Sequence, residues 1–214
     1  MYALDLHTHS QASPDGSLTT RQYSAMLEQG VLDCIAVTDH DTIAFAQELQ
    51  AKLGARIIVG EEITAKEGEI IGLYLHEAVP PGLSIKQTVQ AIRRQHGLVY
   101  VPHPFETVRN GLSAKVLADI ASHVDIVETH NGRAIFQHRG EDALHWATMH
   151  GVPGAASSDA HGWHGWGKTY SNLSEAPTRE TLVRLLERAT YASETVGLLG
   201  ALYPKFNRLR KKLA

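Results

Sequence analysis

Cysteine is almost missing from this chain of 214 residues, where Cys34 stands alone. One thiol excludes an internal disulfide framework and suits a reducing compartment. Long apolar runs are missing too: no uninterrupted stretch approaches the ~20 residues that cross a bilayer. The opening MYALDLHTHS has no basic segment followed by an apolar one. A signal peptide is therefore not expected, no membrane partner is expected, and the cytoplasm is the expected location. Charge of one sign is scarce as well. Twenty lysines and arginines against 23 acidic residues leave a net charge of −3, which gives no general case for nucleic-acid or membrane affinity. Low-complexity tracts, fixed-period repeats and long linkers do not occur. What remains is ordinary globular composition, 43% hydrophobic and 20% charged, long enough for one domain with a substantial core.

Strand-like and helix-like patterns alternate along that chain. YALDL, DCIAVTDH, ARIIVGEEIT, GEIIGLYLH, LVYVPHP, VDIVETHN and VPGAASSDAH read as strands, about seven in all. AKEGE, between the third and fourth, reads as a hairpin or tight connection. Helices are expected over LTTRQYSAMLEQG, capped by Thr19 or Thr20 and ended by Gly30, and over TIAFAQELQAKLG, closed by Gly54. Ser84 with Gln87 forms the capping-box pattern of the next helix. SAKVLADIASH, FQHRGEDALHWATMHG and TRETLVRLLERAT complete the helical set. Alternation of this kind predicts βα units around a mostly parallel sheet in one compact domain.

Thirteen histidines are present, about twice the number average composition would give a chain of this length. Position turns that surplus into a signal. His7 and His9 follow the first expected strand; Asp39, His40 and Asp41 follow the second. Glu61 and Glu62 end the third, His103 the fifth, Glu128, His130 and Asn131 the sixth, and Asp159 and His161 the last. All fall at C-terminal strand ends, where parallel α/β folds gather their functional loops. Imidazole and carboxylate without thiolate suit borderline divalent ions such as Zn²⁺, Mn²⁺ or Fe²⁺. His7 and His9, two apart in extended chain, point to the same side. So many donors fit two or three ions better than one, bridged by a carboxylate such as Glu62. Clustered ions of this kind clamp the attacking and leaving oxygens of a phosphoryl displacement.

The motifs DLHTHS…SPDG, TDHDT, GEEI, HPF and SDAH, in that order, resemble the PHP (polymerase and histidinol phosphatase) family, in the style of its small stand-alone phosphoesterases. The resemblance covers residues 1–190, leaving 191–214 as a basic C-terminal helix or tail. It implies an α/β fold, a distorted TIM-like (β/α)7 barrel in a single domain, with two or three Mn, Fe or Zn ions. Matched by motif, the ligands it implies are His7, His9, Asp15, His40, Glu62, His103, Asp159 and His161. His40, Asp159 and His161 carry the catalytic role as well. Glu61 is the alternative to Glu62, and Pro14 displaces Asp15 by one residue. A further ligand is expected from ETHNGRAIFQHRG: His130 or Asn131, ahead of His138. Glu69 stands near the place where many relatives carry a histidine.

The activity so implied is hydrolysis of phosphate esters by a metal-bridging hydroxide at a di- or trinuclear site. Asp5 and Asp39 are expected to orient ligand imidazoles. Arg133 and Lys168 are candidates to hold phosphate and His164 to act as general acid, each against a plain surface role. Trp163 and Trp166 are candidates for stacking on a leaving group, or for packing under the last loop. The partner expected is a small phosphorylated substrate, with a nucleotide or oligonucleotide end among the candidates. Rival readings are an amidohydrolase-type metal hydrolase and a non-catalytic metal-binding module.

Overall fold

The computed structural model describes residues 1–135 and 137–213. Nine strands form one sheet: β1 (Tyr2–Asp5), β2 (Cys34–Val37), β3 (Ile57–Ala65), β4 (Gly68–Leu73), β5 (Leu98–Val101), β6 (Ile126–Asn131), β7 (Gly154–Ser157), β8 (Thr169–Leu173) and β9 (Thr190–Ser193). Seven helices accompany them: α1 (Thr20–Glu28), α2 (Ala44–Leu53), α3 (Ile85–Arg94), α4 (Ala114–Ile120), α5 (Gly140–His150), α6 (Leu182–Leu186) and α7 (Gly197–Leu213). The strand order is β7-β6-β5-β4-β3-β2-β1-β8-β9.

The sheet curls until its first and seventh strands nearly meet. Thr8, just past β1, bridges Ala160, just past β7, and the His9 N–H donates to the Ala160 carbonyl at 2.9 Å. Lower down, β8 pairs with β1, and its Ser171 hydroxyl engages both the N–H and the C=O of Ala156 in β7. The result is a nearly closed, distorted α/β barrel, the architecture expected. It departs from uniform βα units at β4, which runs antiparallel to both β3 and β5. The AKEGE connection is therefore a hairpin, too short for the crossover that a parallel strand requires.

Both faces of the short strands are buried, which explains their composition of small and branched residues: every residue of β2 and β5 is buried. Ile35, Val37, Ile57, Val59, Val99 and Val101 pack beneath the helices. Residues of opposite parity (Cys34, Ala36, Ile58, Leu98 and Tyr100) pack on the other face, with Leu182, Leu185 and Leu186 of α6. Thr19 and Ser84 cap α1 and α3 in full capping boxes, as their sequences indicate.

Three expectations change. β8 and β9 add two strands to the expected seven. The helix expected over residues 178–190 contracts to five residues, because Leu182, Leu185 and Leu186 are its buried face and the chain then turns into β9. The helix expected from Phe136 begins at Gly140; Phe136 itself lies outside the described residues. Among the described residues, no helix is long and apolar enough to cross a membrane.

Candidate metal centre

Histidines and carboxylates from six segments converge at the barrel's C-terminal end. The chain leaves β1 with His7 and His9, loops out, and returns Asp15 to them. That return needs Gly16: a Cβ there would stand 2.1 Å from the Ser10 carbonyl oxygen. The extra Pro14 is thus absorbed by the loop, and Asp15 is buried beside His40 and His161 at 3.6 and 3.5 Å. His40 follows β2 and is bridged to Glu62 in β3. Strand alternation separates the two glutamates: Glu62 faces the cluster, whereas Glu61 faces away and accepts the Val79 N–H at 2.7 Å. His103 and Asp159 sit at left-handed φ values of 28° and 51°, conformations held by the surrounding structure at a functional site.

Three overlapping groups of donors emerge, each drawn within 4.8 Å: His9, Asp15, His40 and His161; His7, Glu62 and His103; and His7, His9 and Asp159. All eight motif-matched ligands belong to them. Nε2 of His7 and Nε2 of His9 face each other at 3.1 Å. Glu62 Oε2 lies 3.4 and 3.2 Å from these two nitrogens, and Asp159 Oδ1 lies 3.7 and 3.6 Å away. Each of the two carboxylates thus reaches both imidazole nitrogens within 3.7 Å. Asp15 Oδ1, which faces His40 and His161, is buried without any hydrogen-bond partner among the described residues. Buried polar atoms are rarely left so, and at a ligand cluster a metal ion satisfies them. The residues present fit divalent metal.

Electrostatics agree. Burial alone would raise the pKa of Glu62 and Asp159, yet His7 and His40 hold Glu62, and Arg133, His7 and His161 hold Asp159, well below the usual carboxylate range. Burial likewise opposes charge on His7, and Asp159, Glu62 and Glu128 overcome it. Glu69 lies 4.0 and 3.9 Å from His40 and His103, and burial beside Glu62 pushes its pKa up to about 8.

The supporting shell differs from expectation. Asp5 and Asp39 orient backbone rather than imidazoles: Asp5 accepts from the N–H groups of His7 and Ser158, and Asp39 from the N–H and hydroxyl of Ser10. The carboxylate on a ligand imidazole is Glu128, 3.1 Å from His7 Nδ1, and it also accepts from the Tyr100 hydroxyl and the His103 N–H. Asn131 is drawn in, though as a donor, through Nδ2 to Glu128 and Asp159. His130 is not brought to the cluster. It points the other way, against the Tyr191 ring, and shares a separate cleft with His138. The strand irregularity between Glu128 and His130 explains this, because it resets which residues face inward.

Among the expected phosphate holders, Arg133 reaches Asp159 at 3.0 Å, whereas Lys168 is exposed and pairs loosely with Glu194 at 3.7 Å. His164 is exposed against Tyr203, away from the donors. Trp166 packs on Tyr23 and donates to Asp5; Trp163 lies at the surface. Arg109 has no motif to announce it. It forks onto Glu106 at 2.8 and 2.6 Å and reaches Asp159 at 2.7 Å. A cleft of about 430 Å³ opens over the centre, with Arg109, Arg133, Lys205 and Arg208 on its walls.

Comparison with known proteins agrees with this picture. The family model described as PHP domain matches residues 5–146. Two uncharacterized proteins of Methanocaldococcus jannaschii are similar in sequence. One is 34% identical over 125 residues, 52% of this chain and 73% of that protein. The other is 32% identical over 184 residues, 80% of this chain and 70% of that protein. Among solved structures, a two-domain protein of Bacteroides vulgatus, described as containing a predicted PHP-like metal-dependent phosphoesterase, superposes with a TM-score of 0.70 at 19% identity, over 97% of this chain and 69% of that one. At that identity the likeness is one of fold.

Proposed function

The chain belongs to the PHP domain family, and on that premise we propose that it is a metal-dependent phosphoesterase acting on small phosphate esters or nucleotides. The observation that carries the reading is that Glu62 Oε2 and Asp159 Oδ1 each lie within 3.7 Å of both His7 Nε2 and His9 Nε2, in three donor groups that share residues. Sharing of this kind would suit two or three ions. Divalent ions held there supply Lewis acidity and lower the pKa of a water at the site.

The protein's own residues do the remainder. His7, His9, Glu62, His103 and Asp159 form the inner part of the centre; His40, Asp15 and His161 form the part nearer α7. Glu128 fixes the His7 ring by accepting from its Nδ1–H, which would leave Nε2 to bind metal. Arg109 and Arg133 hold Asp159 in place and, with Lys205 and Arg208, set four cations among the five carboxylates of the cleft wall. With divalent ions bound, a dianionic phosphoryl group is the substrate fragment that these cations would help to hold. The leaving group stays open, since fold and metal centre do not set it.

The test is a panel of phosphate monoesters and nucleotides beside amide and lactone substrates, with protein loaded separately with Mn, Fe and Zn. Hydrolysis of phosphate esters that chelation abolishes supports the reading. Amide or lactone hydrolysis alone replaces it with the amidohydrolase alternative, and inactivity with retained metal points to a binding module.

A further inference from the structure

Helix α7 has two faces that do different things. Its inner face, Gly200, Pro204 and Asn207, is buried. Asn207 donates to the backbone carbonyls of Asp15 and His161 at 2.8 and 3.0 Å, Arg208 donates to Asp15 Oδ2 at 2.6 Å, and Lys211 reaches the carbonyls of Gln11 and Ser13. Its outer face is a stripe of Leu199, Leu202, Phe206, Leu209 and Leu213, repeating at spacings of three and four. Leu199 is 70% exposed, Phe206 61%, Leu209 59% and Leu213 79%. Trp163 extends the stripe sideways, in a groove with Tyr203, Phe206, Arg21 and Arg210. Nothing among the described residues covers this face, and contiguous apolar surface of this kind marks an interaction site.

Charge chooses the occupant. α7 carries five of the chain's 20 cations (Lys205, Arg208, Arg210, Lys211 and Lys212) and no acidic residue. The other 15 cations stand against all 23 carboxylates, so the rest of the molecule is net −8 and the helix +5. A second copy of α7 across the stripe would bring Lys205, Arg210 and Lys212 against their own kind, with no acid on either helix to pair them. A nucleic acid would satisfy the cations and leave the leucines in water. An apolar stripe edged by Lys and Arg, with aromatic rings at its border, matches the surface of a bilayer that contains anionic lipid.

We infer that the outer face of α7 docks the protein, lying flat, on anionic phospholipid membranes. Leu202 belongs both to the stripe and to the wall of the metal cleft, so docking holds the cleft mouth at the lipid surface. The measurement is flotation of the metal-loaded full chain with vesicles of phosphatidylcholine, alone or mixed with phosphatidylglycerol. Two variants accompany it: L199Q/F206Q/L209Q, which removes apolar contacts, and R210Q/K212Q, which removes two exposed charges; both avoid the cleft. The wild type should float with the mixed vesicles and not with phosphatidylcholine alone. The apolar variant should stay in solution, and the charge variant should bind roughly tenfold or more weakly, given what each basic residue contributes at an anionic surface. Unchanged metal content and melting temperature show that both variants are folded, and each reads the surface independently. Absence of wild-type flotation, or flotation that survives the apolar substitutions, overturns the inference. So does a concentration-dependent dimer in sedimentation that the apolar variant dissolves, which assigns the stripe to a second copy. Preferential binding of a single-stranded oligonucleotide over vesicles overturns it as well.

Discussion

Arg109 and Asp159 meet at 2.7 Å, Nη1 to Oδ2, on the carboxylate whose other oxygen faces His7 and His9. The guanidinium also forks onto Glu106, which is itself buried. Removing this cation leaves Glu106 without its arginine partner and Asp159 with Arg133 as its remaining guanidinium. R109M should therefore lower stability by about 3 kcal/mol, the usual cost of orphaning a buried charge. It should retain metal, because every ligand remains. Denaturant unfolding with metal analysis on the same sample checks both halves; loss of metal with unchanged stability contradicts the assignment.

Glu128 touches no proposed ion position directly, yet it sets the His7 tautomer. E128Q should weaken metal binding by about 10–100-fold, as changes to such outer partners do, with the fold kept by the Tyr100 and backbone contacts. H9A, which deletes a ligand shared by two donor groups, should lose metal far more completely. Competition against a calibrated chelator ranks wild type, E128Q and H9A in that order. Equal affinities for E128Q and wild type would remove Glu128 from the centre.

Gly16 offers a purely steric lever on Asp15. G16A places a methyl group 2.1 Å from the Ser10 carbonyl oxygen and 2.8 Å from that of His9, and backbone on both sides cannot yield cheaply. The loop must shift, and Asp15 with it. Stability should fall by about 2–4 kcal/mol, at the large end of single substitutions. Metal stoichiometry should drop if Asp15, His40 and His161 hold an ion of their own, as proposed. Calorimetry and metal counting report the two effects separately.

His130 gives a pH signature away from the centre. Burial against the Tyr191 ring lowers its pKa from the usual 6.5. The unfolded chain therefore takes up this proton at higher pH than the folded one, and the contribution of His130 to stability is lost as pH falls below about 6.5. H130F keeps a ring on Tyr191 and removes the proton. Its melting temperature should decline less than that of the wild type between about pH 7 and pH 5. Parallel declines in the two proteins would contradict this.

How much of this was legible without coordinates depends on the physical signal each residue carries. His7, His9, His40, His103, Asp159 and His161 are readable because uncommon side chains recur where apolar runs stop, and barrel topology then brings those stops together. Thr19 and Ser84 are readable because capping is local. The direction of β4 is less so: buried strands show the same composition in either direction, and only the short link to β3 marks the turn. Asp5 and Asp39 were visible as supporting carboxylates, but whether they hold imidazole or backbone N–H depends on how two loops lie. Arg109 carries no signal at all. It comes from an irregular loop bounded by left-handed Phe105 and Asn110, where spacing says nothing about direction. The irregularity in β6 that turns His130 outward leaves no trace in composition either.

The Asn207 amide that spans Asp15 and His161 has a consequence in time. A ribosome makes Asp15 192 residues ahead of Asn207. At roughly 5–20 residues per second, about 10–40 s separate them. Throughout that interval the nascent chain holds Asp15 with neither Asn207 nor Arg208 to fix it, and of its imidazole neighbours His161 too is made late. The centre is therefore born in two stages, with the half near α7 maturing only once α7 itself has been made.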